Sequence, residues 1–429
     1  MIDINRIRTT KYDLEQRRLT DNARFNGASR QSSSSHRMRG ELMESVYVIG
    51  AGMTAFGTLD QSLIELAEKA SFEAMKQSHC LDQRIDHLIV GSQNPDEFVG
   101  IGHLSTLLSD RLGIVPAGAT RVETGPSSGS SAFEVAYTMI ASGYSELVLV
   151  IGVEKMSKVN RGTASKILSK MMSFENETRY GATPTALAAM ITRRYMHDYG
   201  LTRDDLSLVP VKAHRNGAKN ALAHFQKEIT IEEVNTAHIV AEPLTLFDCC
   251  PTSDGAASVV LASEKWVKDQ AVKDQAVKVL GFGHGTDHHA VQHRLSLTSF
   301  GATVAAAEKA FQMANLSPKN IDVCELHDAF SILELVNMED IGLARRGSSI
   351  ELVKEGRTEV FGDIPVNTTG GLKARGHPTG ATGIAQIHDI YKQLVGEAPR
   401  GLQVDSPRIG LTQNIGGFGN NMCVGLFGI

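Results

Sequence analysis

The sequence predicts an α/β protein built as two similar halves. Two observations carry this. Short continuous apolar runs, such as residues 46–49 and 147–152, alternate with helix-length segments, the pattern of parallel βαβ units whose sheet is covered on both faces. The alternation also begins afresh at Val279-Leu280-Gly281, so one plan is read twice around a hinge near 265–278. A chain of 429 residues suits two such coupled units.

Along the first half, Val46-Tyr47-Val48-Ile49-Gly50 reads as a buried strand running into a glycine turn. A helix is expected at Leu63–Gln77, a strand at His87–Gly91 and a helix at 104–112. Residues 130–142 form a helix of small residues, and 147–152 a continuous apolar strand. Residues 157–239 are more polar and helix-rich, with an amphipathic helix near 186–198, and read as an insertion carrying substrate contacts. The strand pattern resumes at 258–262. Next, Val267-Lys268-Asp269-Gln270-Ala271 repeats at once as Val272-Lys273-Asp274-Gln275-Ala276. A five-residue repeat cannot keep one helical face buried, so an exposed linker is expected. A helix near 304–314 and a strand at 321–326 come after it. The division is thus 44–266, with its insertion, and 279–429. Residues 1–43, rich in Arg and Ser, read as a mobile tail. Asp3, Asp13, Glu15 and Asp21 argue against a transit peptide, and Met43 is an alternative start.

Composition excludes several classes. Hydrophobic residues at 42% and charged residues at 21% describe an ordinary globular chain, and a net charge of −5 offers nothing to nucleic acid or an anionic membrane. No run reaches the roughly eighteen apolar residues of a membrane span. The five cysteines form no C-x-x-C, so neither a disulfide framework nor a zinc knuckle is expected and a reducing cytoplasm is the default.

Several motifs could carry chemistry. Gly50-Ala51-Gly52-Met53-Thr54-Ala55 resembles a dinucleotide fingerprint, but Thr54-Ala55-Phe56-Gly57 reads as loop and not as a helix start. His284, His288, His289 and His293 have chelating spacings, yet no further ligand completes a set, which favours a solvated loop. Glu123-Thr124-Gly125-Pro126-Ser127-Ser128-Gly129 leads from a strand into the small-residue helix, whose N-terminus would stabilise a thiolate or an oxyanion. Proline suits such a first turn. Glu325-Leu326-His327-Asp328 ends a strand on a histidine, and Gly376-His377-Pro378 sets another between a glycine and a proline, where close backbone approach is possible. Asn414-Ile415-Gly416-Gly417-Phe418-Gly419 offers an exposed backbone turn.

From Val46 to the C-terminus, these segments resemble the thiolase superfamily, particularly archaeal-type acetoacetyl-CoA thiolases and sterol-carrier-protein-linked thiolases. The markers are Gly152-Val153-Glu154-Lys155-Met156, Cys249-Cys250-Pro251-Thr252-Ser253-Asp254-Gly255, His327-Asp328-Ala329-Phe330, Asn367 to Gly371, and Gly376-His377-Pro378. The resemblance implies two βαβαβαββ halves in a five-layered αβαβα arrangement, a tight dimer, a coenzyme A thioester as substrate and no covalently bound cofactor. A separate zinc-ribbon/OB-fold protein is a further implied partner. His377 matches the histidine that activates the family nucleophile, His327 the one that holds the thioester oxygen, and the backbone at Gly417 part of an oxyanion hole.

The cysteines do not match. Pro126 stands at the nucleophile position, and Ala329 and Asn414 stand where relatives carry the second cysteine. Cys423 lies too far along to align simply. Acyl transfer through the enzyme needs an activated nucleophile, and proline has none. Ser127 is a candidate substitute, although one step along a helix turns a side chain by about 100°. Three readings are open. One is carbon–carbon chemistry on an acyl-CoA without an acyl-enzyme, of aldol, retro-aldol or Claisen type. Another is an acyltransferase using Ser127 or a displaced cysteine. The third is a non-catalytic CoA-binding subunit.

Overall fold

The computed structural model describes residues 44–270 and 272–429; the tail expected over 1–43 lies outside them. In the first half, strands β1 (Val46–Met53), β2 (His87–Gly91), β3 (Gly118–Val122), β4 (Leu147–Glu154) and β5 (Gly255–Ser263) are linked by helices α1 (Leu63–Gln77), α2 (Leu104–Arg111) and α3 (Ser128–Ala141). Between β4 and β5 come the helices α4 (Arg161–Ser169), α5 (Pro184–Tyr199) and α6 (Arg203–Gly217). The second half carries β6 (Val277–Thr286), α7 (Gly301–Ala314), β7 (Val323–Leu326), α8 (Ser331–Ile341), α9 (Thr379–Leu394), β8 (Ile409–Gly416) and β9 (Asn421–Gly428).

The strands hydrogen-bond in the order β3-β2-β4-β5-β1-β6-β9-β8-β7. Each half obeys one rule. The first strand pairs antiparallel with the last, the last antiparallel with the one before it, and that one parallel to the second. In the second half a single parallel bridge, Cys324 to Val366, stands for the third strand. The sheet is therefore mixed, where the alternation of strands and helices predicts a parallel one. Parallel pairing needs a crossover between strands, and β8 reaches β9 through a short turn that permits only an antiparallel pair. The halves meet edge to edge where Tyr47 and Val48 pair with Lys278 and Val277.

Five layers result. Helices α1 and α2 cover the first half-sheet, α3 and α9 lie between the half-sheets, and α7 covers the second. This is the αβαβα arrangement that the resemblance implied. Glycines set the outer layers. A Cβ on Gly50 or Gly52 would strike the carbonyls of Ala74 and Ala70 in α1, and one on Gly281, Gly283 or Gly285 those of Ala310, Ala306 and Ala302 in α7. The Gly-x-Gly of β1 thus serves close helix-on-strand packing inside a strand, with the same device repeated in β6.

The tandem repeat is not wholly exposed. Its first copy ends a short helix, Glu264–Asp269, and Val267 and Val272 are both buried beside α1. The helix stops at Asp269, before Val272, so the two valines do not have to share one helical face. Among the described residues, no helix is long and apolar enough to cross a membrane.

Candidate active site

A cavity of about 460 Å³ opens at the carboxyl ends of β4, β7 and β8, beside the N-terminal ends of α3 and α9. This size accommodates a small organic ligand. His327, His377, Pro126 and Gly417 all line it. Its remaining wall is mostly apolar, with Met156, Leu168, Met171, Phe330, Leu333, Ile415 and Phe418, and it carries one charged side chain, Arg161.

The two histidine rings stand edge to face, 4.9 Å between centroids at 87°. Their hydrogen bonds give them opposite polarity. The Thr382 hydroxyl donates its one hydrogen to Pro378 O at 2.9 Å, so it accepts from His377 Nδ1 at 2.7 Å. The proton of His377 therefore sits on Nδ1, and Nε2 keeps a lone pair. His327 is reversed. Its Nδ1 lies 2.9 Å from Asn414 Nδ2 and accepts from the Ile415 N–H at 3.3 Å. The proton of His327 sits on Nε2, which makes that atom a donor. Neither Nε2 has a hydrogen-bond partner among the described residues.

Both rings are neutral. Burial, with Arg375 nearby, lowers His377 to about 3. Burial, the facing His377 ring and Arg375 lower His327 well below its ordinary value. A neutral acceptor beside a neutral donor can take a proton from carbon or oxygen while hydrogen-bonding the oxygen that gains charge.

The surrounding backbone is held from several elements. The His377 N–H donates to Ser253 Oγ at 3.2 Å. The His327 N–H donates to Gln413 Oε1 at 3.1 Å, and its carbonyl accepts from Asn337 Nδ2 at 3.1 Å. Glu154, fully buried at the end of β4, accepts from Gly380 N and Thr379 Oγ1, each at 3.2 Å, and from Gln93 N at 2.6 Å. A carboxylate at the start of α9 suits the positive end of that helix. Burial nevertheless raises its pKa to about 7. The buried Lys155–Asp254 pair, at 2.9 Å, ties the ends of β4 and β5 together.

Pro126, which the resemblance sets at the nucleophile position, lines the cavity and presents neither a sulfur nor an N–H to it. Gly417 sits in the left-handed region at φ 58°, and its N–H has no partner among the described residues. Ser127 is absent from the cavity wall. Its buried hydroxyl donates to Thr124 O at 2.9 Å and lies 3.2 Å from Asn421 Oδ1. Cys249 and Cys250 do line the cavity, but burial pushes their thiols up to about 11 and about 12, so neither is a ready thiolate. Cys423 lies away from it, 3.8 Å from Ser131 Oγ.

The motifs thus bring His327, His377, Pro126 and Gly417 together. The participants that sequence reasoning misses are Thr382, Gln413 and Asn414. The sequence marks Asn414 as an absent cysteine and as the first residue of a glycine turn, and neither signal points to His327. Of the spaced histidines, His284 is held between Glu134 at 2.6 Å and Asn421 at 2.7 Å. Among the described residues no three His, Cys, Asp or Glu converge as a metal site.

Known proteins share this frame. Residues 46–265 match the thiolase N-terminal domain, and residues 283–429 match the description "thiolase C-terminal domain-like". The chain is 40% identical to an acetyl-CoA acetyltransferase of Methanothermobacter thermautotrophicus, covering 90% of this chain and 100% of that one. It is 32% identical to sterol carrier protein 2 of Bos taurus, covering 87% of this chain and 70% of that one. Among solved structures, an Ltp2–ChsH2(DUF35) aldolase superposes with a TM-score of 0.78 at 23% identity, covering 90% of this chain and 98% of the other.

Proposed function

The chain belongs to the thiolase superfamily, and from that premise we propose that it makes or breaks a carbon–carbon bond in an acyl-CoA by aldol or retro-aldol chemistry, without an acyl-enzyme. The observation that carries this is the complementary histidine pair facing a cavity lined by Pro126, the residue that the resemblance aligns with the family nucleophile.

The chemistry needs only what those groups supply. In the cleavage direction, His377 Nε2 takes the proton of a β-hydroxyl. The oxygen lone pair forms a carbonyl as the Cα–Cβ bond breaks, and the electrons of that bond become the thioester enolate. His327 Nε2–H and the Gly417 N–H stabilise the enolate oxygen, and the proton returns from His377 to Cα. Atoms and charges balance, and no sulfur nucleophile enters. The mostly apolar wall, which includes Leu168, Phe330, Leu333 and Phe418, suits an acyl group larger than acetyl.

The assembly belongs to the same proposal: a homodimer, working with a zinc-ribbon/OB-fold protein. The solved aldolase complex, whose second component is a DUF35 protein, supports the idea of such a partner. An acyltransferase using Ser127 or a displaced cysteine is the second reading, favoured by the name of the 40% identical relative.

One experiment separates them. The protein is incubated with acetyl-CoA and longer acyl-CoAs in D2O. Deuterium at Cα, with no mass added to the protein, is the expected result, and His377→Ala should abolish it. An acyl adduct on Ser127 or a cysteine would overturn the non-covalent reading. Tight acyl-CoA binding without exchange or cleavage would instead mark a binding subunit.

A further inference from the structure

We infer that Asn414 is a positioning residue that fixes the tautomer of His327 and so makes its cavity-facing nitrogen a donor. This rests on the role proposed above for His327, but it concerns a different atom and has its own readout.

Asn414 lies in β8, buried, behind the His327 ring and outside the cavity wall. Its side-chain amide is held at both ends. Ser130 Oγ, on α3, donates to Asn414 Oδ1 at 3.0 Å, and Asn414 Nδ2 faces His327 Nδ1 at 2.9 Å. With the oxygen committed to Ser130, the nitrogen end must face the ring, and an amide nitrogen only donates. His327 Nδ1 is thereby obliged to accept. The Ile415 N–H imposes the same demand from 3.3 Å, a longer and weaker bond. The ring has one hydrogen while neutral, so that hydrogen must sit on Nε2.

A cysteine at this position would instead offer a thiol for proton transfer. The asparagine offers no titrating group and acts only through the ring beside it. The same relay joins the start of α3, just beyond Pro126, to the His327 ring.

Two substitutions test this against a merely structural role. Asn414→Asp preserves shape but replaces the donor with an acceptor. Asn414→Leu removes the amide and leaves the Ile415 N–H in place. Burying a carboxylate costs stability whatever Asn414 does, so the tautomer separates the roles: if Asn414 only filled space, the His327 hydrogen would stay on Nε2 in both variants. If it sets the tautomer, the aspartate should be the worse variant, because it draws the His327 hydrogen to Nδ1.

The direct measurement is 15N NMR of protein labelled at histidine, where the two ring nitrogens separate according to which bears hydrogen. Wild-type His327 should carry it on Nε2 and Asn414→Asp on Nδ1. Acetyl-CoA deuterium exchange should fall about 10²–10³-fold in Asn414→Asp, as for loss of one oxyanion donor, and less in Asn414→Leu. Should Asn414→Asp fold poorly, Ser130→Ala releases the amide and should give a mixture of the two tautomers. Hydrogen on Nδ1 in the wild type, or an unchanged tautomer in Asn414→Asp or Ser130→Ala, would overturn the inference. An absence of exchange in the wild type with hydrogen on Nε2 would sink the proposed reaction and leave the tautomer assignment standing.

Discussion

At the scale of single residues, the proposed chemistry turns on position 126. Pro126 lines the cavity with His377, at the start of α3. Pro126→Cys would put a thiol where a helix N-terminus favours its ionised form. The expected outcome is an acetyl adduct on intact mass measurement after incubation with acetyl-CoA. The wild type should show none. If neither protein is acylated, His377 is not placed to activate a thiol there. The neutral state of His377 has a second consequence. Its ring ordinarily titrates near 6.5 and is held at about 3 by burial, so below pH 6.5 the unfolded chain binds a proton that the folded one refuses. Stability from this group is present above 6.5 and is lost as pH falls toward 3. His377→Gln lacks that loss. Relative to the wild type it should gain up to about 1.4 kcal/mol of stability per pH unit on acidification through that window, measured by urea denaturation. A difference that does not change with pH would show the ring to be protonated in the fold. The sequence marked both histidines because glycine, proline and a strand end surrounded them. It left Thr382 and Asn414 in the background. Asn414 meets His327 across 87 residues, and pattern alone carries no register for such a contact.

At the scale of elements, helix and strand limits were legible because apolar periodicity and caps agree. Helix α1 begins after Ser62, which forms a capping box with Glu65, and it spans the expected Leu63–Gln77. Strand direction was less legible. A run such as 258–262 looks the same in parallel and antiparallel pairing, so the antiparallel joins of β5 with β1 and β4 had no signature. The Gly-x-Gly of β1 resembles a dinucleotide fingerprint for a related reason: a phosphate loop and a helix contact both require a missing Cβ. The contact makes a sharp prediction in β6. An alanine methyl at Gly283 would meet the Ala306 carbonyl, which is backbone and cannot rotate away. Gly283→Ala should therefore push α7 off the sheet and cost on the order of 1–3 kcal/mol, as overpacking does. Gly102→Ala, where nothing lies within 4 Å and the backbone is not left-handed, is the control that lacks the contact. A thermal shift at Gly283 no larger than at Gly102 would remove the close-packing account.

At the scale of the whole molecule, the repeat was legible and its closure was not. The two half-sheets touch through only two register pairs at the β1–β6 edge. They are joined by α9, almost wholly internal and packed against strands of both halves. Its faces are distinguishable. Ile384 fills the space beside Gly152 and Gly129 in the first half, whereas Ile390 lies against Gly410 of β8 in the second. Both are fully buried. Because one rigid helix supplies both contacts, the halves cannot unfold separately without exposing a face of α9 and dismantling the cavity at its start. Ile384→Ala and Ile390→Ala should each cost about 2–5 kcal/mol through lost burial and an unfilled cavity. Each should shift a single denaturation transition, seen alike by far-UV circular dichroism and by a probe in either half. The alternative is specific: if Ile384→Ala lowers the transition of the first half while the second keeps its wild-type midpoint, the halves are independent folding units. In that case the histidines, both carried by the second half, would hold their places without Pro126 and the start of α3.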